Sequence, residues 1–289
     1  MNKTLISKEN YLFLQNDSAR ELEVHQNNLD LVSENFYLKY EENKNKFLLI
    51  VFPNKSFIQK QFLPDNYDLK FRPAFEKYNE YLKEYILDGY IYLKDQIDCY
   101  YKTDTHINLK GLHIIYQHFI DKINNLFNLN IEKKNINIIE KFCSEGLTVL
   151  GKGIGDLTWP SNLGDQVINN IYDVFYYSNE IRELYIQYKF SKQSKIRILN
   201  MDLEDKTNEY LDNILNWNII SKFILYQKNH LETKIKVLIF YDSFFLPGID
   251  LYIDMFDEVY FSKSIYDLDL IQKINPDYIF EFRCERFLF

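Results

Sequence analysis

An open, doubly wound α/β fold with a mostly parallel sheet is predicted for this 289-residue chain, and three features carry the prediction. Compact, almost wholly apolar runs recur along it, segments with apolar residues three or four apart separate them, and Gly and Pro are sparse at 8 and 6 residues. Strands buried on both faces read as continuous apolar runs, and strands that alternate with helices assemble into parallel sheets. The 24 Tyr and 23 Phe supply bulk for a large core and exclude low-complexity disorder. The length suits one larger α/β domain, 1–289, interrupted by an insertion or irregular excursion at about 130–200.

Taken in order, the N-terminal MNKTLISKENYLFLQND has no long apolar stretch, and no run of about 18 or more apolar residues follows. The expectation is a chain without a membrane span, cytoplasmic as written and periplasmic if a signal segment was removed. Ser18-Ala19-Arg20-Glu21 reads as a capping box ahead of a helix carrying Leu22, Leu29, Val32 and Phe36. Residues 47–52 (FLLIVF) and 90–93 (YIYL) read as strands, and a helix after Gly111 carries Leu112, Ile115, Phe119, Ile123 and Leu126. The excursion holds LGKGIGDLTWPSNLGD, whose glycines mimic a phosphate loop but lack its Gly-Lys-Ser/Thr ending. It reads as a turn, with Asp156 and Trp159 as sugar-contact candidates. Helices are expected around 165–190 and 205–230, the latter with Leu211, Ile214 and Ile219. Strands at 235–240 (IKVLIF), 258–261 and 277–282 (DYIFEF), with a helical stripe of Ile249, Ile253 and Phe256, complete the pattern.

Composition removes several function classes. With 34 Lys+Arg against 42 Asp+Glu the net charge is −8, which opposes a basic nucleic-acid surface. Cys99, Cys143 and Cys284 are odd in number and widely spaced, matching neither a disulfide framework nor a zinc site, and are expected reduced and mostly buried. His25, His113, His118 and His230 have no ligand-like spacing, so no metal is expected.

Two segments carry chemistry. In Tyr101-Lys-Thr-Asp104-Thr-His106-Ile-Asn108-Leu-Lys-Gly111, an Asp two residues before a His can fix the imidazole tautomer and stabilise its cation. The plainer reading has Asp104 capping the coming helix and His106 on the surface. In Tyr241-Asp242-Ser243-Phe244-Phe245, a serine follows a strand and precedes a helix, where backbone N–H groups favour developing negative charge. That is a nucleophile's position and equally a helix cap's. In a doubly wound sheet both segments fall at the carboxyl edge, where ligands bind. Tyr100 and Tyr101 beside the Asp/His loop read as packing, with an acceptor groove that stacks sugar rings as the alternative.

YKTDTHINLKG and LIFYDSFF resemble the D-x-H-W-N…G and G-D-S-F motifs of the alginate O-acetyltransferase family of the AlgJ/AlgX type, whose domains are SGNH-hydrolase-like. SKENYLFLQND, LLIVFPNKS and INPDYIFEFRCERFLF are similar to other pieces of that family in the same order, so the resemblance spans about 7–289 and is faintest at 130–230. It implies a three-layer α/β/α domain whose motif order is circularly permuted relative to ordinary SGNH hydrolases. It also implies that Ser243 is the nucleophile, His106 the general base and acid, and Asp104 its orienting partner, with acyl transfer through an acyl-serine. The Ser243 or Phe244 N–H would be the first oxyanion donor. By the same resemblance, Arg283 or Arg286 would bind an oxyanion or sugar where ordinary SGNH enzymes place an Asn, unless they serve ion pairs around Glu285. Asp242, Asn108, Lys55 and Tyr241 are further candidates for lining the site. Tyr241 and Ile107 depart from the family's Gly and Trp, and a side chain at 241 is expected to crowd the turn or narrow the acceptor cleft.

The activity implied is a serine-dependent O-acyltransferase, foremost an O-acetyltransferase, acting on a glycan or glycan precursor. No bound cofactor is implied. The acyl donor would be acetyl-CoA or an acylated partner protein, with a membrane donor partner in the periplasmic case. A carbohydrate or lipid esterase of the same fold, and a catalytically silent glycan-binding module, stay open beside it.

Overall fold

The computed structural model describes residues 3–133, 156–158, 197–210 and 222–288. A seven-stranded sheet runs in the order β4 (Ile86–Asp88), β3 (Phe47–Phe52), β9 (Tyr278–Cys284), β7 (Lys236–Tyr241), β8 (Glu258–Ser262), β6 (Ile224–Lys228) and β5 (Arg197–Leu199). The first five in this order are mutually parallel, whereas β6 is antiparallel to β8 and β5 to β6. This is the expected mostly parallel α/β architecture.

Every residue of FLLIVF in β3 is 0% exposed, so the strand is covered on both faces. Leu48, Ile50 and Phe52 pack with Leu112, Ile115 and Phe119 of the long helix Leu109–Phe127. Phe47, Leu49 and Val51 meet Tyr78 and Leu82 of the helix Pro73–Leu82 and Leu270 and Ile274 of the helix Leu268–Ile274. With both faces covered, the sheet itself is open at its strand ends. At the carboxyl end stand Asn54 and Lys55 after β3, Asp242 and Ser243 after β7, Lys263 after β8, and Glu285 and Arg286 after β9. A separate antiparallel hairpin, β1 (Thr4–Ile6) with β2 (Leu12–Leu14), is joined to this end by a bond from Leu12 N–H to the Lys102 carbonyl at 3.0 Å.

Several expected elements differ. The run YIYL lies in a helix, Gly89–Leu93, because the Asp88 carboxylate accepts the Tyr90 N–H at 3.0 Å and turns the chain at the end of β4. The capping box is absent: the helix Glu21–Asn27 starts with its Glu21 N–H on Asp17 Oδ1, and it ends at Asn28 in the left-handed region, before Leu29, Val32 and Phe36. The helix expected over 205–230 is one turn, Thr207–Tyr210, and then the strand β6; 211–221 lie outside the described residues. Most of the 130–200 excursion, with the helix expected at 165–190, also lies outside them, while its end supplies the strand β5. Cys99 and Cys284 are free and buried; Cys143 lies outside the described residues. No helix among the described residues is long and apolar enough to cross a membrane.

The long helix is held against the Asp104–His106 loop through Gly111. A Cβ there would stand 2.5 Å from Ile107 Cγ1 and 2.9 Å from the Cys99 carbonyl oxygen, a backbone atom that cannot swing aside. Gly111→Ala is therefore expected to destabilise the protein by about 1–3 kcal/mol, read as a lower midpoint in urea unfolding at unchanged slope.

Candidate active site

The segment between Tyr100 and Asn108 is a short loop whose neck is an antiparallel bridge from Tyr100 to Ile107, with Asn108 N–H on the Cys99 carbonyl at 2.9 Å. Ile107 is fully buried in the core at that neck, where the resembled family has Trp. Inside the loop one oxygen, Asp104 Oδ1, accepts both the His106 N–H at 2.9 Å and His106 Nδ1 at 2.6 Å. Backbone and ring are thereby fixed by the same carboxylate. The short contact places a proton on Nδ1, so in the neutral imidazole the basic lone pair is on Nε2.

That Nε2 is buried and has no hydrogen-bond partner among the described residues. Burial disfavours the imidazolium, but the bonded Asp104 and then Asp156 outweigh it and hold His106 above its ordinary value, with Arg286 opposing. For Asp104 burial likewise opposes the charged form, yet His106 and two backbone N–H groups keep it well below the usual carboxylate range. The result is a histidine with a fixed tautomer, its Nε2 left with a free lone pair, and a carboxylate that favours its cation.

The His106 ring packs against Phe244, with centroids 4.7 Å apart, and this brings the β7 turn to the histidine. Ser243 is the half-buried residue before Phe244. No hydrogen bond joins Ser243 to His106, and no described residue accepts the Ser243 N–H. The neighbouring Phe244 N–H differs from expectation: it donates to Asp242 Oδ1 at 2.9 Å, so of the two oxyanion donors expected, Ser243 N–H is the one left uncommitted. Asp242 Oδ2 accepts the Cys284 N–H at 2.6 Å. Asp242 thus ties the end of β7 to the end of β9 and shapes the turn rather than contacting substrate.

Several other expected site residues are likewise committed elsewhere. Asn108 caps the long helix, its Oδ1 taking the Gly111 N–H at 3.2 Å while its Nδ2 donates to the Asp98 carbonyl. Tyr241 is buried in the core beside Phe245. Arg283 is buried, its Nε donating to Glu281 at 2.8 Å and its Nη2 to the Ser264 carbonyl. Glu285 pairs with Arg72, which also forks onto Asp88 at 2.8 and 2.9 Å. Tyr100 and Tyr101 are buried. Lys55 is buried too, and its ammonium donates to the carbonyls of Leu12, Lys102 and Asp104 at 2.6, 2.8 and 3.0 Å. Burial lowers that ammonium to about 7 despite the pull of Asp104, Asp156 and Glu21. Lys55 therefore clamps β2 and the Asp104–His106 loop to the end of β3.

Arg286 does reach the site. Its guanidinium lies 4.9 Å from the Phe244 ring centroid and donates to Thr105 Oγ1 at 3.2 Å and to Glu21 at 3.1 Å. Two residues sequence reasoning assigned elsewhere or passed over also belong here. Asp156, expected to contact sugar, instead accepts from Thr105 within the loop; Trp159 lies outside the described residues. Lys263, one residue past β8, is half-buried and lowered to about 8 by desolvation against the attraction of Asp242. The only sequence signal for it is its place at a parallel strand's end. Asp104, His106 and Asp156 offer ligand atoms within 4.8 Å of one another. All four carboxylate oxygens accept hydrogen bonds, those of Asp156 from Thr105 and those of Asp104 from His106 and the Asp156 N–H.

No protein-family model and no curated protein matches the chain. Solved structures do. Bacillus cereus PatB1 superposes with a TM-score of 0.59 at 16% identity, covering 99% of this chain and 96% of that one. PatB1 carrying a sulfonyl adduct gives 0.57 at 14%, with 100% and 97% covered. The O-acetyltransferase domain of Pseudomonas putida AlgJ gives 0.52 at 11%, with 99% and 92% covered. At these identities the likeness establishes a shared fold, the SGNH-like α/β architecture that the motifs implied.

If Lys55 is a clamp, Lys55→Met removes three hydrogen bonds, the Lys102 carbonyl alone keeping a second donor in the Leu12 N–H, and should cost about 3 kcal/mol, measured by denaturant unfolding. A residue that merely lined a substrate cleft would leave stability unchanged.

Proposed function

We propose that the chain is a serine-dependent O-acyltransferase, foremost an O-acetyltransferase, that esterifies hydroxyls of a polysaccharide or glycan precursor. The observation that carries this reading is the unpartnered, buried His106 Nε2, fixed by Asp104 and packed beside the Ser243–Phe244 turn. A buried polar atom without a partner costs about 1–3 kcal/mol, and such atoms persist where a ligand completes them. A hydroxyl, first that of Ser243 and then that of the acceptor, is the complement of a basic imidazole nitrogen. The fold shared with the AlgJ O-acetyltransferase domain supports the same class.

In the first half-reaction Ser243 Oγ attacks the donor's acyl carbon as its proton passes to Nε2. The oxyanion is received by the Ser243 N–H. The carbonyl re-forms, the donor's leaving group departs with the proton from Nε2, and an acyl-serine remains. In the second half the acceptor hydroxyl gives its proton to Nε2 and attacks the ester, and the proton then returns to Ser243 Oγ. Asp104 stays ionised throughout and stabilises the imidazolium. The absence of a Ser243–His106 bond in the resting protein is compatible with this sequence, because such bonds commonly tighten only when substrate binds. Water in place of the acceptor would give hydrolysis, so transfer requires that water be excluded. The donor is acetyl-CoA or an acylated partner protein.

Intact-protein mass after brief exposure to p-nitrophenyl acetate should show one acetyl group on the wild type and none on Ser243→Ala. His106→Ala should acylate about 10³-fold slower or worse, and the double variant no more slowly than the worse single one. Acylation needs neutral His106, so its rate should climb with pH through an apparent value above about 6.5, the direction set by Asp104. Offering a sugar acceptor then separates transfer from hydrolysis, since a transferase yields acylated sugar in preference to acetate. Equal acylation of wild type and Ser243→Ala would remove this mechanism.

A further inference from the structure

The Asp104–His106 loop is held by a second buried carboxylate from a distant part of the chain. Asp156 and Leu157 form a short bridge across it. Asp156 Oδ1 accepts the Thr105 N–H at 2.8 Å, Oδ2 accepts the Thr105 hydroxyl at 2.7 Å, and the Asp156 N–H donates to Asp104 Oδ2 at 3.0 Å. Leu157 N–H reaches the Thr103 carbonyl at 3.3 Å, and Thr4 in the N-terminal hairpin donates to the Leu157 carbonyl at 2.5 Å. Consequently both oxygens of Asp104 are engaged, Oδ1 by His106 and Oδ2 by Asp156, and rotating the carboxylate away from the imidazole would break bonds on both. Asp156 Oδ2 itself stands 3.7 Å from His106 Nδ1.

We infer that Asp156 is a positioning residue of the acyl-transfer site, locking the Asp104–His106 pair and sharing with Asp104 the stabilisation of the imidazolium formed during transfer. A purely structural brace needs only hydrogen-bonding atoms. Asp156 also places a carboxylate at a distance where an opposite charge typically shifts a titration by one unit or more. The charged groups facing His106 are Asp104 on its own loop, Asp156 on the bridge, Asp242 after β7 and Arg286 after β9, with Lys55 behind Asp104 and Asp156. Arg286 opposes the cation and donates to the same Thr105 oxygen whose proton goes to Asp156, so Thr105 couples the two. The direction for His106 agrees, as Asp156 raises it and Arg286 lowers it after burial and Asp104.

The inference rests on His106 as the base, and its test is readable without activity. NMR titration of the His106 ring carbons in full-length protein should give a value about one unit lower in Asp156→Asn than in the wild type. In Thr105→Val, which removes the hydroxyl and keeps the charge, that value should stay at or above the wild-type one. The rising limb of the p-nitrophenyl acetate profile should move to lower pH in Asp156→Asn by the same interval. A folded Asp156→Asn with an unmoved His106 would overturn the inference, as would a Thr105→Val that lowers His106 as far as Asp156→Asn does. Should Asp156→Asn fail to fold, Asp156→Ser takes its place, with the same expected fall and the same overturning result. Failure of wild type to acylate Ser243 would instead count against the acyltransferase reading and leave the titration result standing.

Discussion

Backbone groups that leave the sheet at its carboxyl end lose their ladder partners and must be satisfied by something else. Because both sheet faces are sealed by aromatic and aliphatic packing, water is not available to most of them, and polar side chains do the work. Asp242 takes two N–H groups at the ends of β7 and β9, Asn108 caps the long helix, and Lys55 gathers three carbonyls from the hairpin and the loop. Once those demands are met, His106 Nε2 and the Ser243 N–H are among the polar groups there that no described residue satisfies. The functional reading follows from that remainder. A site capable of chemistry is what stays unsatisfied after the fold has used the rest.

The same constraint explains how much was legible in the sequence. Strands such as FLLIVF and KVLIFY are readable because burial on both faces leaves no polar position to blur the pattern. YIYL has the same composition and lies in a helix, since the deciding group is the preceding Asp88 carboxylate, which caps Tyr90 and takes a fork from Arg72. Ile91 is 60% exposed, a partial burial that four apolar-looking letters do not reveal. The strand β6 was hidden for a related reason: its pattern follows from being antiparallel to β8, and pairing partners are not written locally.

Within the site, residue types were legible and their commitments were not. Motif reading singled out Asp104, His106 and Ser243, and it also singled out Asp242, Asn108, Tyr241 and Lys55, which turn out to fasten the site together or fill the core behind it. Nothing in DTHIN or YDSFF distinguishes an aspartate that orients imidazole from one that receives N–H groups; that difference depends on which strand end comes to lie alongside. Asp156 is the sharpest case. Its contacts span about fifty residues of chain, and its local sequence, GKGIGD, points towards a turn or a phosphate loop.

In the proposed reaction Ser243 and His106 Nε2 meet over an acyl group at the carboxyl edge. Sulfonyl reagents trap serine nucleophiles covalently, so the most direct measurement is a crystal structure of the protein after treatment with a sulfonyl fluoride. The account predicts a sulfonyl group bonded to Ser243 Oγ, one of its oxygens on the Ser243 N–H, and His106 Nε2 within hydrogen-bond reach of the adduct with Nδ1 still on Asp104. A folded, fully treated protein with Ser243 unmodified, or with the group on another residue and Nε2 turned away from Ser243, would contradict it.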